Sequence, residues 1–223
     1  MQQTALINQP GRHGDIIICL PIAKWLSKTF KVFWYCPKEY HLNFRNIDYC
    51  TPVESPEGQY DIRVNLCFGL VKTEPLHQWW MQSRSTWKSF IAAKYYLAGV
   101  PLKERWNLEW RRNWDRECGI YEQLAMHHTE YSVVHEQTWC ERITIPVHNK
   151  LLFRPHGDFN IFDWYKILLH AKDIHCIDSS LANFVEVIPE LKDKPKYYYV
   201  TRKVPNQWDR TILTNNWEVR HVS

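Results

Sequence analysis

The sequence lacks any apolar run long enough to cross a membrane. The longest such run near the amino terminus spans residues 16–23, whereas a membrane helix needs about 20 apolar residues. The first residues also lack the basic and apolar regions that mark a secretory signal peptide. We therefore predict no membrane span and expect a cytoplasmic protein.

Several motifs that mark common catalytic or metal sites are also missing. The chain has no D-x-D motif, which argues against a metal-held nucleotide sugar, and it has neither a Walker loop nor a G-x-S-x-G turn. Its seven cysteines show no C-x-x-C spacing, so disulfides and a zinc cluster are not expected. The eleven histidines include no H-x-x-x-H pair, and we predict no metal site.

Aromatic residues, by contrast, are abundant, and the charge balance is mild. The 223 residues include twelve tryptophans, and the formal net charge is +4. This length fits one large domain or two small ones with a real hydrophobic core. The weak basic excess permits contact with phosphate-bearing ligands without requiring a nucleic acid.

The clearest pattern lies in residues 4–36, which read as strand, tight loop, helix and strand. A breaker cluster at residues 9–14 contains two glycines, which let backbone N–H groups approach a ligand closely. Asp15 follows directly. It is either a simple N-terminal helix cap or a carboxylate held at the mouth of an α/β site as a general base. In the second case Gly14 and the loop before it shape the site.

The rest of the chain alternates between predicted strands and helices, which favours parallel sheets with helices on their faces. A second series of strands and helices begins near residue 126. It includes a short strand at residues 143–147 and a turn at residues 178–180 that opens a helix. We predict an α/β protein with domains at residues 1–125 and 126–204. The tail, residues 205–223, is expected to pack back on the body.

Four breaker loops follow predicted strands, at residues 9–14, 136–142, 155–161 and 178–180. Ligands of open α/β sheets bind outside the carboxyl ends of the strands, so these loops are candidate ligand contacts. Asp178, Ser179 and Ser180 either hold a phosphate at a helix N-terminus or cap that helix. Arg142 and Arg154 either clamp a diphosphate or form surface ion pairs.

Three further polar residues lie in or beside the same loops. His135 and His156 lie at strand ends, where an imidazole can donate a hydrogen bond to a phosphate; the alternative is a structural role for each. Asn160, with Trp164 nearby, is a candidate for contact with a nucleotide base or ribose.

Two stretches are rich in tryptophan: residues 76–87 combine it with polar residues, and residues 103–116 interleave it with arginines. Trp79, Trp80 and Arg84 belong to the first of them. Such stretches are either solvated surface or a platform on which an acceptor stacks while cations contact its phosphates. Acidic residues dilute the positive charge of the second stretch.

Two segments resemble the heptosyltransferase-like glycosyltransferases, glycosyltransferase family 9. The pattern GDIIICLPIAKWLS at residues 14–27 is similar to the family's Gly-Asp loop and first helix. The pattern IHCIDSSLANFVE at residues 174–186 is similar to its donor-binding strand, turn and helix. The resemblance implies the GT-B arrangement, in which two Rossmann-like domains face each other across a cleft. It also implies Asp15 as the catalytic base and a donor-binding turn at Asp178, Ser179 and Ser180.

This chain departs from the family pattern in three ways. It is shorter than bacterial members, Ser179 and Ser180 stand where the family has Thr-Gly, and residues 70–130 have no counterpart. The compact, tryptophan-rich form suggests the hypothesis of a viral enzyme that acts in the host cytoplasm.

The resemblance implies inverting, metal-independent transfer of a sugar from a nucleotide diphosphate, which is a co-substrate rather than a cofactor. The acceptor hydroxyl belongs to a saccharide or to a hydroxymethylated base in DNA, two alternatives that the sequence leaves open. Alternative functions are non-catalytic binding of a nucleotide or nucleic acid, and hydrolysis of the nucleotide sugar. The predicted donor-binding residues are Gly14, His135, Arg142, Arg154, His156, Asn160, Asp178, Ser179 and Ser180. The predicted acceptor-binding residues are Arg12, His13, Trp79, Trp80 and Arg84.

Overall fold

The computed structural model describes residues 2–67, 78, 90–137, 142–154, 157–200 and 214–222. The chain divides into two compact units, residues 1–109 and residues 110–223. Each unit is built around a parallel sheet, as the alternation of strands and helices predicts. Within the described ranges, no helix has the length and apolar character that a membrane span requires.

The first unit contains a four-stranded parallel sheet in the order β3-β2-β1-β4. The strands are β1 (Thr4–Asn8), β2 (Lys31–Tyr35), β3 (Thr51–Val53) and β4 (Ile62–Asn65). β1 pairs with both β2 and β4, and its Ala5, Leu6 and Ile7 are at most 1% exposed. A short apolar run buried on both faces is typical of a central parallel strand. The carboxyl end of β1 therefore lies between the ends of its neighbours β2 and β4.

Helix α1 (His13–Leu26) follows β1 after the loop at residues 9–12. Its residues 16–23 are all buried, so the helix is covered on nearly every side rather than on one face. Because α1 is enclosed in this way, its first turn is held at the carboxyl end of β1. The described part of this unit also contains helix α2 (Phe90–Leu97) and the 3₁₀ helices Lys38–Phe44 and Leu102–Trp106.

The second unit contains a five-stranded parallel sheet in the order β6-β5-β7-β8-β9. The strands are β5 (Ser132–His135), β6 (Lys150–Leu152), β7 (Asp173–Ile177), β8 (Lys196–Val200) and β9 (Trp217–His221). The helices are α3 (Trp114–Leu124), α4 (Tyr165–His170) and α5 (Ser180–Glu186), with 3₁₀ helices at Phe162–Trp164 and Pro189–Leu191. The strand order reverses between β5 and β7. The carboxyl ends of strands at such a reversal are where ligands of open α/β sheets bind.

Two details of the second unit differ from the sequence analysis. Residues 143–147 do not form a strand; Ile145 instead packs in a buried cluster with Val134 and Tyr199, and its N–H donates to the Glu136 carboxylate at 3.1 Å. Helix α3 packs on α4 and belongs to the second unit, whereas the sequence analysis places it in the first.

The carboxyl-terminal segment is anchored by the buried carboxylate of Glu186, the last residue of α5. Glu186 accepts hydrogen bonds from the Thr214 N–H at 2.6 Å and from the Trp217 indole N–H at 2.8 Å. A buried carboxylate needs such partners to offset its lost hydration. These bonds fix the start of β9, which pairs in parallel with β8 as the last strand of the sheet.

Candidate active site

The carboxyl end of β1 carries the first half of the candidate site. Gly14 and Asp15 lie in the first turn of α1, and Arg12 is the residue at the capping position. Asp15 is therefore not the helix cap, which was the alternative to a catalytic role. Its side chain is 25% exposed, so the carboxylate can meet a ligand from solvent.

Arg12 has an unusual backbone conformation, with φ 61° and ψ 125°. A positive φ costs a residue with a Cβ about 1–3 kcal/mol, and such strain clusters at functional sites. The strained residue lies directly before the first turn of α1. Arg12 and His13 are both exposed.

A buried lysine that the sequence analysis missed lies next to Asp15. The Lys94 amine is 3.4 Å from Oδ1 of Asp15, and its side chain is 2% exposed. The same amine donates to Oε1 of Gln9 and to the Leu66 carbonyl oxygen. Gln9 follows β1 and Leu66 follows β4, so the amine lies at the carboxyl edge of the sheet. A single lysine within the apolar stretch FIAAKYYLA at residues 90–98 is the sequence signal that points to this position.

His13 has a fixed ring orientation although it is exposed. Its Nδ1 lies 3.1 Å from Oδ1 of Asn43, and Nδ2 of Asn43 donates to the Tyr40 carbonyl oxygen at 3.0 Å. Because an amide oxygen only accepts, Nδ1 of His13 carries the hydrogen. In the neutral ring, Nε2 is then left as a hydrogen-bond acceptor.

The carboxyl ends of β5 and β6 bring three predicted donor-binding residues to one edge of the second sheet. His135 is the last residue of β5, Arg154 lies just beyond β6, and Arg142 forms a bridge with Gln137, just beyond β5. Both arginines are exposed, and in the described part of the chain neither has an ion-pair partner. They are cations available to an anionic ligand.

His135 is more enclosed than these arginines. Its Nδ1 is buried and has no hydrogen-bond partner among the described residues, and the Phe153 ring packs edge-on against it. Burial lowers the pKa of His135 to about 4, so its ring is neutral near pH 7. A neutral imidazole has one N–H and brings no charge to a phosphate, and His135 already makes a hydrogen bond with the Gln137 backbone.

The buried ring of His135 makes the stability of the protein depend on pH. An unfolded histidine has a pKa of about 6.5, so the unfolded chain binds more protons than the folded chain between that value and about 4. The stability that depends on the neutral ring is complete above about pH 6.5 and falls by up to about 3 kcal/mol as the pH drops towards 4. Urea unfolding at about pH 7 and about pH 4.5 measures this effect. The free energy of unfolding is expected to fall more between the two pH values for the wild type than for His135→Leu. Equal losses would contradict this account of His135.

Two predicted donor contacts take part in helix capping. Ser179 is the N-cap of α5, and its hydroxyl accepts from the Ala182 N–H at 3.3 Å. Oδ1 of Asn160 accepts from the N–H groups of Phe162 and Asp163, and the Asp163 carboxylate accepts from the Asn160 N–H at 2.8 Å. This reciprocal pattern is that of a capping box. These contacts support the capping alternative for Ser179, and they give the Asn160 side chain a structural role that the sequence analysis did not consider.

The remaining predicted site residues divide into two groups. Asp178 and Ser180 flank the Ser179 cap just beyond β7, and both are half-buried. Outside the described residues lie Trp79, Trp80, Arg84 and His156. In the part of the chain that the structure describes, no group of three or more His, Cys, Asp or Glu side chains is arranged to hold a metal ion.

The sequence matches no protein-family model and no curated protein, but the fold has solved neighbours. It is similar to a glycosyl transferase of family 9 from Veillonella parvula DSM 2008, with a TM-score of 0.53 and 8% identity over 100% of this chain and 87% of that one. It is also similar to TibC, an iron-containing dodecameric glycosyltransferase from enterotoxigenic E. coli H10407, with a TM-score of 0.55 and 13% identity over 94% of this chain. The chain spans 61% of the length of TibC.

At these identities the likeness shows the fold and not the activity. The prediction of an α/β fold with parallel sheets is confirmed by two such sheets. The solved neighbours include a glycosyltransferase of family 9, the family that residues 14–27 and 174–186 resemble.

Proposed function

We propose that the protein is a glycosyltransferase that moves a sugar from a nucleotide diphosphate to an acceptor hydroxyl, with inversion and without a metal. The observation that carries the proposal is the Asp15 carboxylate, one quarter exposed in the first turn of α1 and 3.4 Å from the Lys94 amine. The likeness of the fold to a family 9 glycosyltransferase and to TibC supports it. The lack of a D-x-D motif in the sequence is the reason for proposing a metal-independent reaction.

Asp15 acts as the general base in this proposal. One carboxylate oxygen takes the proton of the acceptor hydroxyl while the acceptor oxygen forms a bond to the anomeric carbon of the donor sugar. The bond between that carbon and the diphosphate oxygen breaks, and its electron pair leaves with the nucleoside diphosphate. A single displacement of this kind inverts the anomeric configuration.

The carboxyl edge of the second sheet is the proposed donor site. TibC has been solved in complex with ADP-D-β-D-heptose, a nucleotide diphosphate sugar. The exposed guanidinium groups of Arg142 and Arg154 fit the charge of a diphosphate. The turn at residues 178–180 lies at the same edge, after β7. The proposal requires that both units act on one pair of substrates, as in the GT-B arrangement.

Replacing Arg142 and Arg154 together by alanine is expected to weaken binding of a nucleoside diphosphate at least about tenfold, because charge-assisted hydrogen bonds are among the strongest polar contacts. The rise in melting temperature with added ADP, UDP, GDP or CDP measures this binding. The matched control replaces Lys172 and Lys192, two exposed cations of the same unit that precede β7 and β8. Unchanged binding in the arginine variant would contradict the donor site.

The loop before α1 is the proposed acceptor site. Nε2 of His13 lies two residues from the base, and in the neutral ring it can accept a hydrogen bond from a hydroxyl of the acceptor. Arg12 adds an exposed cation at the same loop. A saccharide and a hydroxymethylated DNA base both offer the required hydroxyl group.

A panel of UDP-, ADP-, GDP- and CDP-sugars tests the proposed function. Release of nucleoside diphosphate is measured without acceptor, with oligosaccharides and with DNA that carries hydroxymethylated bases, each with EDTA and with added Mg²⁺. We expect acceptor-dependent release that EDTA does not reduce. Equal release with and without acceptor would indicate hydrolysis instead. Nucleotide binding without any release would indicate a non-catalytic binding protein.

A further inference from the structure

Lys94 of α2 is an ammonium group enclosed by protein oxygens. Nζ lies 2.6 Å from Oε1 of Gln9, 2.5 Å from the Leu66 carbonyl oxygen and 3.4 Å from Oδ1 of Asp15. An ammonium has three N–H donors, so each of these oxygens can face one donor. Burying an ammonium is costly unless it is paired and hydrogen-bonded, and this set of oxygens supplies both.

Two of the three oxygens are fixed independently of Asp15. The Leu66 carbonyl is main chain directly beyond β4. The Gln9 side chain donates from Nε2 to the Gly11 carbonyl oxygen at 3.1 Å, and the Gln9 carbonyl accepts from the Trp34 indole N–H at 3.0 Å. The edge of the sheet thus sets the position of Nζ, and the Asp15 carboxylate is drawn to a charge that is already in place.

We propose that Lys94 is a positioning residue for the Asp15 base. The ammonium holds Oδ1 by charge, and Oδ2 has no hydrogen-bond partner in the part of the chain that the structure describes. Oδ2 is then the oxygen that receives the acceptor proton. Lys94 keeps its own protons throughout, and after the transfer it faces a neutral carboxyl group. This inference rests on the proposed function, because the position of Oδ2 matters to catalysis only if Asp15 is the base.

Lys196 offers a matched comparison within the chain. Its side chain is also 2% exposed, and its amine donates to the carbonyl oxygens of Leu191 and Lys192, both at 2.6 Å. It lies at the start of β8, in the other unit. Replacing Lys196 by methionine therefore removes a comparably buried and hydrogen-bonded ammonium without removing the partner of Asp15.

The kinetic test compares Lys94→Met with Lys196→Met in the full chain, with the nucleotide sugar and acceptor that the panel identifies. We expect Lys94→Met to lower kcat about 10- to 100-fold and to leave KM for the nucleotide sugar within about threefold. Lys196→Met is expected to leave kcat within about threefold of wild type. Equal losses of kcat in the two variants, or a rise in KM without a loss of kcat, would overturn the positioning role.

A double-mutant cycle tests the contact without an activity assay. Urea unfolding is measured for the wild type, Asp15→Asn, Lys94→Met and the double variant. Lys94→Met is expected to raise the unfolding equilibrium constant. We expect this rise to be at least about fivefold smaller in the Asp15→Asn background than in the wild-type background, because no carboxylate is then left unpaired. Additive effects of the two substitutions would overturn the proposal.

If Lys94→Met does not fold, Gln9→Met takes its place. This variant removes one oxygen that fixes Nζ and leaves the charges of Lys94 and Asp15 intact. We expect kcat to fall about three- to tenfold with little change in KM; an unchanged kcat would overturn the proposal. If the wild-type protein transfers no sugar, the proposed function itself is wrong. If the wild type transfers sugar and the Lys94→Met and Gln9→Met variants do so equally well, only the positioning role of Lys94 is wrong.

Discussion

Asp15→Asn is expected to lower kcat for sugar transfer by about 10³-fold, since general-base catalysis contributes about 10²–10⁴-fold. Asparagine keeps the shape of the side chain but cannot take the acceptor proton. The donor site lies in the other unit in this account, so the variant should bind nucleoside diphosphates as the wild type does. Turnover is measured as acceptor-dependent release of nucleoside diphosphate, and binding is measured as the shift in melting temperature.

Asp61→Asn is the matched control for this substitution. Asp61 lies at the opposite end of β1, where its carboxylate accepts from the Thr4 N–H at 2.7 Å and from the Thr4 hydroxyl at 2.9 Å. This variant should keep kcat within about threefold of wild type. An Asp15→Asn protein with the same kcat as this control would contradict the role of Asp15 as the base.

Asp163→Asn is expected to lower the free energy of unfolding by about 3 kcal/mol, because it breaks an ion pair whose carboxylate is fully buried. Asp163 is 0% exposed, and its carboxylate accepts from Nε and Nη2 of Arg116 and from the Asn160 N–H. The substitution removes the charge that pairs with Arg116 and weakens the cap that Asn160 shares. Urea unfolding measures the loss.

Asp158→Asn is the control for the buried carboxylate. Asp158 contacts the same guanidinium of Arg116 at 3.2 Å, but its side chain is 66% exposed. An exposed ion pair contributes about 0–1 kcal/mol, so this variant should unfold nearly as the wild type does. Equal losses for Asp158→Asn and Asp163→Asn would contradict the ranking of these two contacts by burial.

The sequence predicted those features that depend on neighbouring residues. The apolar run at residues 4–8 and the breaker cluster after it correspond to β1 and the loop before α1. Asp15 accordingly lies in the first turn of a helix at the end of a strand. Arg142 and Arg154 were predicted from loops that follow strands, and both are exposed beside the ends of β5 and β6.

Features that depend on distant residues were not predictable in this way. The pairing of Lys94 with Asp15 joins α2 to α1, and no local pattern shows which carboxylate a buried lysine meets. A loop likewise takes the place of the predicted strand at residues 143–147, and its Ile145 packs in the core with Val134 and Tyr199.

Residues that cap helices and residues that bind phosphates produce the same sequence signal. Serine and asparagine at the start of a helix offer an oxygen that can serve either purpose. In this protein, the oxygens of Ser179 and Asn160 accept from their own helices. The backbone partners distinguish the two roles, and those partners are visible only in the folded chain.

The anomeric configuration of the product tests the central claim most directly. The claim is that Asp15 takes the acceptor proton while the acceptor oxygen displaces the nucleoside diphosphate in one step. Proton NMR of the glycosylated acceptor, formed from a donor of known configuration, measures the outcome. The account predicts a product whose anomeric configuration is inverted relative to the donor. A product with retained configuration would contradict it, because retention requires a covalent intermediate or an attack from the side of the leaving group.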